Sequence, residues 1–150
     1  MLRRLKGLGA SRKELLDLYQ KQVRSVLELA VPVWHPGITQ QERKQIERVQ
    51  KCALYIISGE YSSYNYTLEM LEVESLEHRR SKICEKFAIT CFKNPRYQNW
   101  FCLNDYSQST HNTKSQKSKL KPVFTRTQRF KNSPLPYLTR TLNNILSLKK

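Results

Sequence analysis

Two prolines four positions apart, Pro32 and Pro36, interrupt an otherwise helix-forming stretch, and no other feature constrains the chain as much. The segment Val31-Pro32-Val33-Trp34-His35-Pro36-Gly37 lies between two helical patterns that each open with a capping box. Ser11-Arg12-Lys13-Glu14 precedes the first and Thr39-Gln40-Gln41-Glu42 the second. In such a box the hydroxyl and the carboxylate satisfy reciprocal backbone donors at the helix start. The spacing predicts a helix, a stiff elbow, then a helix. Proline at both ends of the elbow is expected to hold Ala30 and His35 away from helical angles. Trp34 offers a large apolar surface able to lock the two helices together. Pro32, Trp34, His35, Pro36 and Gly37 are therefore read as structural, with His35 packed or locally hydrogen-bonded because no nucleophile or acid partner lies near it.

Helical periodicity continues on both sides. Leu2, Leu5 and Leu8 share one side of a short basic helix that Gly9 closes. Leu15, Leu16, Tyr19, Val23, Val26, Leu27 and Ala30 define the apolar face of a helix over 12–29. After the elbow, a helix over 40–57 turns Ile46, Val49, Ala53, Leu54, Ile56 and Ile57 inward, exposes Arg43, Lys44, Arg48 and Lys51, and stops at Gly59. An aromatic linker over 61–66 leads to a short helix capped by Thr67. A longer helix then starts at Ser75, with Leu76, Ile83, Phe87, Ala88, Cys91 and Phe92 inward, and Asn94-Pro95 stops it. The expected fold is all-α: a small bundle of about four helices over 1–102, a basic and largely disordered linker over 103–132, and a short C-terminal helical motif over 133–150 carrying Tyr137, Leu138, Leu142, Ile145 and Leu148.

Charge narrows the partners. Of 150 residues, 27 are Lys or Arg and 12 Asp or Glu, a formal net charge of +15. Residues 103–150 hold seven Lys and three Arg against one Asp. Such a field favours polyanions. No apolar run approaches the roughly 20 residues that span a bilayer, and no apolar signal core follows Arg3, Arg4 and Lys6. An intracellular chain, nuclear or cytoplasmic and not secreted, is expected, with no membrane partner. A mitochondrial presequence fits poorly with Glu14 and Asp17 so close behind the basic start. Cys52, Cys84, Cys91 and Cys102 are expected to be reduced and structural.

Groups that would make an enzyme are missing from the sequence. There is no Gly-rich phosphate loop, nucleophile elbow or zinc-protease helix motif, and the aspartates are Asp17 and Asp105 alone. Cys84, Cys91, Cys102 and His111 are too widely spaced for a compact zinc site. The reading is non-enzymatic, without cofactor, metal or small-molecule substrate. Lys and Arg alternate instead with Tyr61, Tyr64, Tyr66, Tyr97, Trp100, Phe101, Tyr106, Phe124 and Phe130, a composition suited to phosphate neutralisation and base stacking. The expected phosphate contacts are Arg43, Lys44, Arg48 and Lys51, followed by Lys114, Lys117, Lys119, Lys121, Arg126, Arg129 and Lys131. No motif that reads a DNA groove is present. The basic runs over 114–121 and 126–131 serve equally as a nuclear address.

Several ordered strings carry a resemblance: Leu2-Arg3-Arg4-Leu5-Lys6-Gly7-Leu8-Gly9-Ala10, Leu15-Leu16-Asp17-Leu18-Tyr19, the elbow with its flanks from Val26 to Thr39, and Glu47-Arg48-Val49-Gln50-Lys51-Cys52-Ala53. Leu76-Glu77-His78-Arg79-Arg80, Cys91-Phe92-Lys93-Asn94-Pro95 and Ser133-Pro134-Leu135-Pro136-Tyr137-Leu138-Thr139-Arg140-Thr141-Leu142-Asn143 continue it. Together they resemble the C-terminal portion of reverse transcriptases from LINE-like, non-LTR retrotransposons. The elbow and the ending are the specific parts, and the helices between them are generic. The resemblance implies a helical thumb-like segment with a basic tail that holds RNA, DNA or an RNA–DNA hybrid without sequence preference. It also implies a reading frame that begins inside a longer helix of a truncated element. The palm and its paired metal-binding aspartates are absent, so no catalytic residue carries over. The alternative is an orphan helical module whose apolar faces once packed on the missing polymerase domains.

Overall fold

A computed structural model describes residues 1–60, 63–103 and 119–148, with the backbone alone at Leu148. The fold is all-α, as expected. Among the described residues, β structure is limited to one antiparallel bridge between Leu103 and Leu120. The helices are α1 (Leu2–Gly7), α2 (Arg12–Leu18), α3 (Ser25–Leu27), α4 (Val31–Trp34), α5 (Gln40–Ser58), α6 (Tyr64–Met70), α7 (Leu76–Lys93), α8 (Gln128–Lys131) and α9 (Pro134–Leu148). A π-helical stretch, Tyr19–Arg24, joins α2 to α3, and 3-10 turns form at His35–Gly37 and Pro95–Trp100.

Both capping boxes form. The Ser11 hydroxyl accepts from the Glu14 amide (3.3 Å) and the Glu14 carboxylate accepts from the Ser11 amide (2.8 Å). Thr39 and Glu42 repeat the pattern at 3.3 and 2.7 Å. Gly9 (φ 89°) ends α1 in a Schellman arrangement: its amide bonds to Lys6 O and that of Ala10 to Leu5 O. Gly59 (φ 81°) ends α5. The last carbonyls of α5 accept from cations, Ile56 O from Lys6 Nζ (2.6 Å) and Ser58 O from Arg12 Nη2 (3.2 Å), which complements the negative helix end.

The hydrogen bonds of the two boxes hold the Glu14 and Glu42 carboxyls below their ordinary value of 4.5. A lowered folded-state value stabilises the fold above the ordinary carboxylate range, and that contribution is lost as pH falls through the lowered value. Thermal melts of Glu14→Gln/Glu42→Gln, in which glutamine still closes each box, are expected to lose less between pH 6 and pH 3 than those of the unsubstituted chain. Identical acid dependence would refute the assignment.

The chain divides into two compact units: 1–30 with 38–80, and 31–37 with 81–150. This differs from a single bundle ending near residue 102. The first core joins Leu2, Leu15, Tyr19, Ala53, Leu54, Ile57, Leu71 and Val73. The second joins Ala88 and Cys91 of α7 with Phe101, Leu120 and, from α9, Leu138 and Leu142. The C-terminal helix therefore belongs to a core rather than standing as a separate motif. The linker expectation also fails over 119–132. Leu120 is fully buried, its backbone held by both amide atoms of Asn143 (2.9 and 3.0 Å), and α8 follows with Thr127 as its cap. Residues 104–118 lie outside the described residues.

Four further expectations are corrected. The elbow is helical, one α turn followed by a 3-10 turn, so Ala30 does leave helical space (φ 51°) whereas His35 does not. Its residues group with the second unit rather than with the helices that flank it in sequence. His35 is buried (1% exposed), edge-on to both Trp34 and Tyr137 at 6.3 Å. Second, Val26 points outward (68% exposed). The π-helical stretch widens each turn and slips the register, so Arg24 and Glu28 join the expected Val23 and Leu27 in half-buried positions, while Ala30 is exposed with Val26. Third, α6 begins at Tyr64, not Thr67. Thr67 is buried inside it and donates to Ser63 O (3.1 Å). Fourth, Val49 and Phe87 are exposed because each sits at the edge of its apolar stripe.

Candidate nucleic-acid interface

The floor of the candidate site is a buried polar network that no local pattern announces. Gln50, fully buried in α5, accepts from Tyr19 Oη (2.7 Å) and donates to Tyr64 Oη (3.0 Å) and Glu74 O (2.9 Å). Tyr64 Oη donates in turn to Glu47. The Glu47 carboxylate also accepts the first backbone amides of α7, Leu76 N (3.1 Å) and Glu77 N (3.2 Å), while Ser75 Oγ accepts from His78 N (3.3 Å). A carboxylate from α5 thus caps α7, where the helix dipole favours negative charge. Burial pushes the Tyr19 phenol far up, and burial together with Glu47 does the same to Tyr64, so both remain neutral donors. Nearby, Arg79 grips Glu28 through Nε and, at 3.1 Å, Nη2. That fork raises the Arg79 pKa, whereas burial lowers that of the adjacent, fully buried Arg80.

Above this floor, the outer stripe of α5 is basic. Lys44, Arg48 and Lys51 are exposed and fall at i, i+4 and i+7 along one face. With Glu47, Cys52, Tyr55 and Tyr64 they line a groove of about 440 Å³. Lys51 Nζ lies over the Tyr55 ring, 5.6 Å from its centre, within cation–π range. Arg43, expected among the phosphate contacts, is instead half-buried with its guanidinium on Glu77 (3.3 Å). It sits on the inner side of the stripe. Tyr55 was not among the expected aromatics, although its place four residues after Lys51 continues the same stripe.

The expected tail contacts lie in the second unit. Lys119, Lys121, Arg126, Arg129 and Lys131 are all exposed, and Lys114 and Lys117 lie outside the described residues. Arg140, which the sequence reading did not single out, donates to Lys131 O (2.9 Å) and shares a cavity of about 430 Å³ with Lys131, Asn143 and Asn144. Of the expected stacking residues, Tyr66, Trp100, Phe124 and Phe130 are exposed, whereas Phe101 is buried against Phe92. Tyr61 and Tyr106 lie outside the described residues.

All four cysteines are free thiols, with Cys84 and Cys91 buried and Cys52 and Cys102 exposed. Among the described residues no three metal-ligating side chains are grouped to hold an ion, and His111 lies outside them. No helix among the described residues is long and apolar enough to cross a membrane. No family model, curated protein or solved structure matches the chain.

Proposed function

We propose that this chain is a non-catalytic, reverse-transcriptase-derived segment that binds RNA, DNA or their hybrid through phosphate contacts, without sequence preference. The observation that carries the reading is the stripe of Lys44, Arg48 and Lys51. These cations share one face of a long helix, and among the described residues none is paired with a carboxylate in a salt bridge. By contrast, Arg43 and Arg79 bind Glu77 and Glu28. Solvated cations on a regular surface displace the counterions condensed on a nucleic acid when they meet its phosphates, and that release supplies sequence-independent affinity. The net charge of +15 extends the field beyond the stripe. With Asp17 and Asp105 the sole aspartates, no residue is given a catalytic role.

Affinity for single-stranded RNA, duplex DNA and an RNA–DNA hybrid should fall steeply across a salt series. In Lys44→Gln/Arg48→Gln/Lys51→Gln the log–log slope is expected to become shallower by roughly 2 to 3, the share of three phosphate contacts. Tight binding indifferent to ionic strength would overturn the proposal. A chain that self-associates and ignores nucleic acid would replace it with the orphan interaction module, a reading favoured by the exposed Val26 and Leu29 (68% and 73%) of the first unit.

A further inference from the structure

We infer that the α5 groove takes a single strand, with one unpaired base stacked on Tyr55 and its flanking phosphates on Lys44, Arg48 and Lys51. This rests on the reading of that face as a nucleic-acid interface and adds a preference that charge alone does not give. Lys44, Arg48, Lys51 and Tyr55 follow i, i+4, i+7 and i+11, a track roughly 16 Å long at the helical rise. The cations therefore run along one line that ends at an aromatic ring. A phosphate track that leads to a stacking platform is the arrangement that holds unpaired strands, since every base has a π-face and only an unpaired base can present it freely. In a duplex, neighbouring pairs cover those faces, and a ring lying at the side of a groove gains nothing from it.

Two details of the groove support this occupant. Glu47, the carboxylate among the described lining residues, does not confront the phosphates as a bare anion, because its oxygens are bound by the Tyr64 hydroxyl and by the Leu76 and Glu77 amides. Lys51 already covers the Tyr55 ring as a cation. An arriving nucleotide exchanges that contact for a base on the ring and a phosphate on the ammonium, so both groups keep a partner.

The test uses the full chain with a labelled ten-nucleotide oligo(U) and a DNA duplex of ten base pairs, read by fluorescence anisotropy. Tyr55→Leu is expected to weaken oligo(U) binding about tenfold while leaving duplex affinity and the salt slope unchanged. Tyr55→Phe keeps the ring and should keep the affinity. A silent Tyr55→Leu, or an equal loss with both substitutions, would overturn the stacking role. Cys52, exposed on the groove wall, gives a second readout in the unsubstituted chain. Saturating oligo(U) should slow its alkylation at least threefold, and an unchanged rate would count against this site. The two readings fail separately. If no nucleic acid binds with salt dependence, the interface itself is refuted. If binding is salt-dependent and lost in the Lys44/Arg48/Lys51 glutamine variant, yet indifferent to Tyr55, the single-strand preference alone is refuted.

Discussion

Gln50→Leu is expected to destabilise the first unit by about 2 kcal/mol. The substitution nearly preserves volume, so little of the loss comes from a cavity. It comes from what Gln50 leaves behind, a fully buried Tyr19 hydroxyl that loses its acceptor. A hydroxyl orphaned in this way costs about 1–3 kcal/mol when water cannot reach it. Tyr64 suffers less because Glu47 still accepts its proton. Adding Tyr19→Phe to Gln50→Leu should restore about 1 kcal/mol, since the double variant no longer buries the unpaired phenol. Both tryptophans, Trp34 and Trp100, belong to the second unit. Native-state hydrogen exchange at the α5 amides is therefore the readout, because tryptophan emission reports the other unit. Protection factors unchanged by Gln50→Leu would show that the network adds nothing to stability.

Leu120→Ala is expected to cost about 3 kcal/mol in the second unit, a typical value for truncating a fully buried leucine. Here tryptophan fluorescence in a urea titration is the direct measurement. The prediction is strong because Leu120 follows a basic, polar stretch in which apolar periodicity is lacking. Its side chain nevertheless packs with Ala88, Cys91, Phe101, Leu138 and Leu142, and Asn143 holds its amide and carbonyl together. A surface substitution in a solvated linker stays within about 0.5 kcal/mol, so a change that small would place Leu120 outside the core.

The parts of the fold legible in the sequence are those whose causes act over three or four residues. Ser11 with Glu14, Thr39 with Glu42, the left-handed Gly9 and Gly59, and the Asn94-Pro95 stop each settle a helix end through contacts within one turn. The basic stripe of α5 was legible for the same reason, since Lys44, Arg48 and Lys51 need only helical spacing to share a face. The apolar spacing of Leu138 and Leu142 likewise sufficed to place α9.

Other features depended on partners far along the chain. Tyr19 meets Gln50 31 positions away and Glu47 reaches Leu76 29 away, so neither the buried glutamine nor the carboxylate cap has a local signature. The π-helical stretch reversed the expectation for Val26 because a slipped register is chosen by what the whole helix packs against, not by propensity at Tyr19–Arg24. The elbow shows the division most sharply. Its prolines determined where the helical run is interrupted, but the interruption is itself helical and belongs to the unit that contains Tyr137, a partner of His35 a hundred residues on. Local hydrogen bonds and backbone sterics set the helix ends from sequence alone. Which faces are buried, and with whom, was decided only when tertiary packing chose among the apolar and polar surfaces those helices offered.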